Sequence, residues 1–369
     1  MVVSFPSVMP VDQGIYVALQ RLGWNLSLLL PNRWVDTHAP NGHVIEPIEG
    51  FEGRFAKARI ARPGNVQRHF YVTDINGWID RIRPDVAYVE AEYYGVPSLQ
   101  WGLFLERAGI PWGVQACEIQ DRPLPWPAKV IRKWVLSHAD FVTARSPAAA
   151  DLARRFGANG EVGLLPHQLW LSFSPPARRE NEKFTLGFVG RLVEQKGLED
   201  LAPALARLPF PIRLLVVGDG PMRSFLEQAP LGQAELDLRG TLPTEALPDL
   251  YAEMDALVLP SRTMPTTAER FGKVLIEAMA CGTPVIGSSS GQIPWVIETA
   301  GGGIVFPEGD VEELARSIES LASDPDRRRQ LGATGKEAAD RLYSAEATAK
   351  TLDRFLHNAA ASAASRRPA

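Results

Sequence analysis

The sequence predicts an α/β protein built from two doubly wound, parallel-sheet domains. Three observations carry that prediction. Short runs of leucine and β-branched residues alternate with longer segments of helical period, which is the pattern of βαβ units. The pattern stops at a polar, proline-containing stretch, Ser172–Glu182, and restarts cleanly after it. The chain has 369 residues, 45% hydrophobic and 22% charged, enough for two domains that each bury a core.

Taken in order, Val2–Phe5, Asn25–Leu30, Val86–Val89 and Phe141–Ala144 read as strands, each an apolar run bounded by polar or turn residues. Ala18–Gly23 and Trp101–Ala108 read as helices between them. The span from Trp34 to Arg68 is rich in Gly and Pro and is assigned to loops with short antiparallel strands. Beyond the polar stretch, Phe184–Val189, Ile212–Val217, Leu236–Arg239, Ala256–Leu259 and Val285–Ile286 read as strands. Gly197–Arg207, Met222–Gln228, Leu247–Glu253, Lys273–Ala280 and Val311–Ser323 read as helices. The expected domains are therefore 1–170 and 184–344, with a linker at 171–183. Residues 345–369 form a last helix, Ala345–Leu356, and an Ala/Ser/Arg-rich tail. Ligands of open parallel sheets sit beyond the carboxyl ends of the strands, so two such domains predict a cleft with one ligand on each wall.

Composition removes several functions. With 39 basic and 43 acidic side chains the formal net charge is −4, which excludes nucleic-acid binding through bulk positive charge. Cys117 and Cys281 cannot build a disulfide framework or a cysteine metal cage, and they fit a reducing compartment. No apolar run reaches the ~18 residues of a membrane span. The first residues lack the basic flank and apolar core of a signal peptide, so a cytoplasmic location is expected. Histidines 38, 43, 69, 138, 167 and 357 show no metal-ligand spacing, and Asp324-Pro325-Asp326 reads as a surface turn. Cys117 has no histidine or cation near it in sequence and reads as a packed residue.

Three motifs carry chemistry. In Gly190-Arg191-Leu192-Val193-Glu194-Gln195-Lys196-Gly197 two cations five residues apart follow a strand and lead into a helix. That placement suits a diphosphate, the alternative being solvated surface cations. Gly218-Asp219-Gly220 lets the backbone turn sharply after a strand and lets a flat ring approach, or is turn chemistry alone. The third is Pro260-Ser261-Arg262 followed by Glu269-Arg270-Phe271-Gly272-Lys273-Val274-Leu275-Ile276-Glu277-Ala278-Met279-Ala280-Cys281-Gly282-Thr283-Pro284-Val285. Glu269 is expected in a loop, with Phe271 and Gly272 opening a helix whose free amides face a phosphate. Glu277 is expected about two turns into that helix. A rise of ~12 Å over eight helical residues lets the two carboxylates span a sugar and a ribose. The alternative for Glu277 is a surface salt bridge, but its neighbours Ile276, Ala278 and Met279 are apolar, where a lone charge is costly.

As an ordered set these motifs resemble the nucleotide-sugar domain of GT-B retaining glycosyltransferases of family 4, over about Phe184–Tyr343. The resemblance implies two Rossmann-like domains facing across a cleft. It implies that Arg191 and Lys196 bind the donor diphosphate, that Glu269 binds donor-sugar hydroxyls and that Glu277 binds the ribose. It places main-chain groups of Phe271, Gly272, Lys273 and Val274 at the phosphates and sugar, Gly190, Gly218 and Gly220 along the donor, and Leu242, in Gly240-Thr241-Leu242, beside the base. It also implies a last helix that crosses back to the N-terminal domain. Three features depart from the family pattern, one being Trp295, which stands where Gly-x-x-Pro-Glu is common after the Pro-Val strand. The loop Ser7–Gly14 has the single glycine Gly14 where two are frequent, and Trp112–Asp121 lacks the histidine many members carry.

The expected activity is transfer of a hexose-type sugar from a nucleoside diphosphate to a hydroxyl acceptor with retention. Glu269, Arg191 and Lys196 are the expected catalytic residues, and protein cations take the place of a metal or other cofactor. Gln13, Gly14, Glu90, Glu92, Tyr93 and Glu118, together with Tyr94, are acceptor-side candidates that follow N-domain strands, the tyrosines reading equally as packing residues. Pro125–Leu136 is basic and interleaved with Trp and aliphatic residues, so it reads either as a domain helix showing lysines to water or as a peripheral contact with an anionic membrane. Two rival functions remain: an epimerase or hydrolase that uses the same donor wall without an acceptor, and a protein that binds sugar nucleotide without turnover.

Overall fold

The computed structural model describes residues 1–36, 39, 41–170 and 182–366, so most of the expected linker at 171–183, and His38, lie outside the described residues. Contacts divide the chain into two compact units, Met1–Ser172 with Ser344–Ala369, and Phe173–Tyr343.

The first unit holds strands β1 (Val2–Ser4), β2 (Ser27–Pro31), β3 (Arg54–Ala58), a hairpin of β4 (Ile60–Ala61) and β5 (Phe70–Tyr71), then β6 (Ala87–Glu92), β7 (Trp112–Ala116), β8 (Phe141–Ala144) and β9 (Glu161–Leu164). Its parallel seven-stranded sheet runs β3-β2-β1-β6-β7-β8-β9. Helices α1 (Gly14–Arg21), α2 (Ile75–Ile82), α3 (Val96–Ala108), α4 (Trp126–His138) and α5 (Pro147–Arg155) connect the strands. Every residue of β2, β6, β7 and β8 is buried, as expected of strands covered by helices on both faces.

The second unit has a parallel six-stranded sheet ordered β12-β11-β10-β13-β14-β15. Its strands are β10 (Thr185–Val189), β11 (Ile212–Val217), β12 (Ala234–Leu238), β13 (Ala256–Leu259), β14 (Val285–Ser288) and β15 (Gly303–Phe306). Around it lie α6 (Leu198–Ala206), α7 (Arg223–Gln228), α8 (Leu247–Glu253), α9 (Lys273–Ala280), α10 (Ile293–Ala300), α11 (Val311–Ser323) and α12 (Pro325–Tyr343). In both sheets the order reverses once, beside β1 and beside β10, and such a reversal opens a crevice at the carboxyl ends of the strands.

The last helix, α13 (Ala345–Arg366), belongs to the first unit, where it lies on α1. Leu352, Phe355 and Leu356 complete a core with Tyr16, Leu19 and Phe141. The Phe355 and Phe141 rings stack with centroids 5.7 Å apart.

Several elements differ from the sequence expectation. The region from Trp34 to Arg68 contributes β3, a parallel edge strand of the main sheet, and not only loops and the antiparallel β4–β5 hairpin. Its sequence, Arg-Phe-Ala-Lys-Ala, lacks an apolar run because an edge strand buries little of itself. Helix α1 starts at Gly14 rather than Ala18. Strand β6 continues to Glu92, so Glu90 and Glu92 lie within it instead of following it.

Since Phe355 is wholly buried, Phe355→Ala should destabilise the first unit by about 3–5 kcal/mol. The urea midpoint of a first-unit signal measures this, and an unchanged midpoint would remove α13 from the core.

Candidate active site

In the second unit the loops that follow β10 and β13 meet where the strand order reverses. Gly197 makes the approach possible. Its φ is +69°, and a Cβ there would lie 1.8 Å from the carbonyl oxygen of Pro260, so only glycine fits. Arg262 fixes the same junction by donating from its main chain to Gln195 O at 2.7 Å and from its guanidinium to Asp200 and Glu199.

The contact brings Lys196 to Glu269. Lys196 Nζ donates to Glu269 Oε2 at 2.6 Å, and Ser261 Oγ donates to the same oxygen at 3.1 Å. Glu269 Oε1 has no protein partner among the described residues. The Glu269 main chain is held from the loop after β14, where Gln292 N donates to its carbonyl at 2.9 Å. Arg191 is exposed, and its guanidinium has no acceptor among the described residues. The site thus presents one neutralised cation, one open cation and one open carboxylate oxygen.

The glycine turns lie beside it. Gly190 N donates to Val217 O, Leu192 N to Asp219 O and Gly218 N to Gly240 O, at 2.8–2.9 Å. These bonds tie the Gly190, Gly218–Gly220 and Gly240 loops into one layer, next to which Leu242 is half-buried.

Helix α9 begins at Lys273, after Gly272 with φ +79°, and no side chain caps its first turn. Leu275 N turns back to Gly272 O at 2.8 Å, and the start of the helix carries the positive end of its dipole. Phe271 is buried against Trp295 and Tyr343, which secures the helix start, while Lys273 and Val274 are half-buried. The helix has its expected bounds, Lys273–Ala280, but Phe271 lies outside it, so Glu277 is its fifth residue, one turn in rather than two. The carboxylate of Glu277 is nearly fully buried and accepts from Tyr251 OH at 2.7 Å. Burial, and then the Glu277 charge, raise the Tyr251 pKa well above its ordinary value, so the phenol keeps its proton and donates. This partner, 26 residues away in sequence, resolves the cost of a lone charge among Ile276, Ala278 and Met279.

The first unit uses its charges differently. Glu90 Oε2 accepts from Ser4 Oγ at 2.6 Å, Ser7 Oγ at 3.2 Å and Tyr16 OH at 2.5 Å, and Oε1 accepts from Arg145 at 2.8 Å. Arg145 also donates to Gln115 Oε1 and to the carbonyls of Leu165 and Pro166. Burial works against the Arg145 charge, but Tyr88 and Glu90 outweigh it and hold its pKa above the arginine norm. Glu90 is therefore committed to internal donors. Sequence reading missed Arg145, whose one signal is a lone arginine directly after an apolar strand.

Gln13 is wholly buried and bonds to Ser7 O, Glu46 O and Ile48 N at 2.9–3.0 Å, and Gly14 begins α1. Glu92 Oε1 accepts from Cys117 N at 2.9 Å. Cys117 is half-buried, and Gln115 Nε2 lies 2.8 Å from its Sγ. Glu118 Oε1 accepts from the amides of Ile119 and Gln120 and pairs through Oε2 with Arg122 at 2.9 Å. Tyr93 is fully buried, edge-on to Tyr94, which accepts from Arg122 at 2.9 Å. Glu92, Tyr93, Tyr94 and Glu118 thus cluster at the carboxyl ends of β6 and β7, and Gln13 and Glu90 form a separate group beneath the β1 loop. Among the described residues no group of His, Cys, Asp and Glu could hold a metal ion, and no helix is long and apolar enough to cross a membrane.

Arg145→Ala would leave Glu90 buried without its cation, at a cost of about 3–5 kcal/mol. Urea denaturation of the variant measures it, and a loss below 1 kcal/mol would mean that the three hydroxyls alone suffice.

The family model for glycosyl transferases group 1 matches residues 172–338, and that for a glycosyl transferase 4-like domain matches 13–166. The GDP-mannose-dependent alpha-(1-6)-phosphatidylinositol monomannoside mannosyltransferase of Mycolicibacterium smegmatis is 30% identical over 276 residues, covering 68% of this chain and 72% of that protein. Sulfoquinovosyl transferase SQD2 of Arabidopsis thaliana is 33% identical over 174 residues, 46% of this chain. The match spans only 33% of the length of that plant protein. Among solved structures, Anabaena HepE in complex with UDP superposes with a TM-score of 0.70 at 17% identity, over 97% of this chain and 99% of that one. The sequence, the two sheets and these likenesses agree: the chain belongs to the family-4-like glycosyltransferases of GT-B fold.

Proposed function

We propose that this glycosyltransferase moves a hexose-type sugar from a nucleoside diphosphate to a hydroxyl acceptor with retention of anomeric configuration and without a metal ion. The observation that carries the reading is the Lys196–Glu269–Ser261 contact at the β10/β13 reversal, next to the open guanidinium of Arg191 and the uncapped start of α9. That set offers cations and amides for a departing diphosphate and a carboxylate oxygen for sugar hydroxyls.

In this reading Arg191, Lys196 and the first amides of α9 stabilise the charge that grows on the leaving diphosphate. Glu269 orients the sugar through Oε1 while Oε2 stays on Lys196 and Ser261. Glu277, held by Tyr251, receives the ribose hydroxyls, and the layer of Gly190, Gly218 and Gly220 lets the flat parts of the donor approach. The acceptor hydroxyl attacks from the face of the leaving group and passes its proton to a phosphate oxygen. The cationic groups are all supplied by the chain, which is the basis for proposing that neither metal nor cofactor takes part. The cluster of Glu92, Tyr93, Tyr94 and Glu118 at the carboxyl ends of β6 and β7 is the proposed acceptor side.

Substituting Arg191 or Lys196 by Ala should lower kcat/KM by about 10²–10³-fold, the scale for removing one stabilising group, and weaken nucleoside diphosphate binding. Wild-type kinetics in both variants would sink the assignment. In a thermal-shift panel of UDP, GDP, ADP and TDP, one nucleotide should raise the melting temperature equally with magnesium or EDTA, since a ligand of the native state stabilises it. HepE was solved with UDP and the Mycolicibacterium relative depends on GDP-mannose, so UDP and GDP are the leading pair. No shift from any nucleotide would remove the donor site. Sugar product formed from the donor alone would favour an epimerase or hydrolase, and binding without turnover a non-catalytic protein.

A further inference from the structure

The first unit carries a feature outside the proposed donor site, bordering the proposed acceptor side at Tyr94. A pocket of about 550 Å³ lies between the β4–β5 hairpin and the start of α4, lined among others by Arg62, Gln67, Arg68, Tyr94, Leu124 and Ile131. Two acid-free basic segments meet there. Residues 53–73 contain Arg54, Lys57, Arg59, Arg62 and Arg68 with no Asp or Glu, and residues 122–139 contain Arg122, Lys129, Arg132 and Lys133 with none. This concentration stands out in a chain of net charge −4. The side chains of Arg62, Arg68, Lys129 and Lys133 are exposed and have no ion-pair partner among the described residues.

Apolar side chains stand among these cations. Trp126 is 76% exposed, Val130 49%, Val66 41% and Val72 50%. Trp126, Lys129, Val130 and Lys133 follow the spacing of a single helix face. The opposite face of α4 is already used, since Val135 and Leu136 are buried and Ile131 and Trp134 pack on the core. A nucleic-acid surface would match the cations but not the tryptophan and valines. A lipid interface matches both, because tryptophan partitions to the headgroup level and Lys and Arg meet anionic headgroups.

We propose that the β4–β5 hairpin and the outer face of α4 dock on a bilayer containing anionic lipid, with a headgroup phosphate seated in the pocket beside Arg62 and Arg68. The docking does not depend on the donor-site reading. Trp126 and Val130 enter the headgroup layer, while Lys129 and Lys133 lie on the anionic surface.

The test is co-sedimentation of the full chain with vesicles of phosphatidylcholine alone and of phosphatidylcholine mixed with phosphatidylglycerol. Binding should appear only on the mixed vesicles and fall as salt shortens the screening length from about 10 Å at 0.1 M to about 3 Å at 1 M. Arg62→Ala/Arg68→Ala should lower the partition coefficient about 25-fold, at about five-fold per arginine, with an unchanged melting temperature. Trp126→Ala should lower it several-fold, whereas Arg316→Ala, an exposed change on α11, should leave it unchanged. The proposal is overturned by absence of binding to mixed vesicles at low salt, by equal binding to pure phosphatidylcholine, or by a wild-type partition of the double arginine variant. It is also overturned if soluble glycerol 3-phosphate raises the melting temperature of the wild type but not of the double variant while no vesicle binds, which would make the pocket a site for a free phosphate.

Discussion

In each parallel sheet a carboxylate meets a cation near the point where the strand order reverses, and the two meetings have opposite characters. Glu90 is enclosed by Ser4, Ser7, Tyr16 and Arg145, which leaves nothing to offer a ligand. Glu269 holds Lys196 and Ser261 on one oxygen and leaves the other open. A fully satisfied buried charge fixes the structure around it, whereas a half-satisfied one at the rim of a crevice can trade partners. The first contact holds the β1 loop, β6 and β8 in place. The second keeps two loops poised around a gap.

The Lys196–Glu269 site of the second unit, which we propose as the donor half, draws its residues from two short stretches, Gly190–Gly197 and Glu269–Glu277. Strand end, glycine, cation and helix start follow one another there, so local order reproduces spatial order. The first unit was less legible. Its decisive contacts join Ser4 to Glu90 across 86 residues and Arg145 to Glu90 across 55, and no local pattern marks such pairs. Glu90 and Glu92 read as loop residues because charge inside a buried strand is rare, and distant partners, among them Ser4, Tyr16, Arg145 and the Cys117 amide, make it tolerable. The turn count for Glu277 failed for a narrower reason: Gly272 adopts a left-handed conformation outside the helix, so the count runs from Lys273 and not from Phe271.

The edge elements show the same principle in reverse. Strand β3 escaped notice because its arginine and lysine obscure the apolar period, yet such charges are what an edge strand carries to avoid pairing with other chains. The hairpin that follows was legible in type, short and antiparallel, but the cations it displays acquire a meaning only beside α4, some sixty residues further along.

The position of α13 bears on how the chain is made. Its Leu352, Phe355 and Leu356 cover Tyr16, Leu19 and Phe141, so the core of the first unit closes with residues that follow the whole second unit in the chain. At about 5–20 residues per second, the whole second unit must leave the ribosome first, an interval on the order of ten to thirty seconds. During that time Tyr16, Leu19 and Phe141 lack the cover that α13 later gives them, so the first unit waits on the second for its closed core.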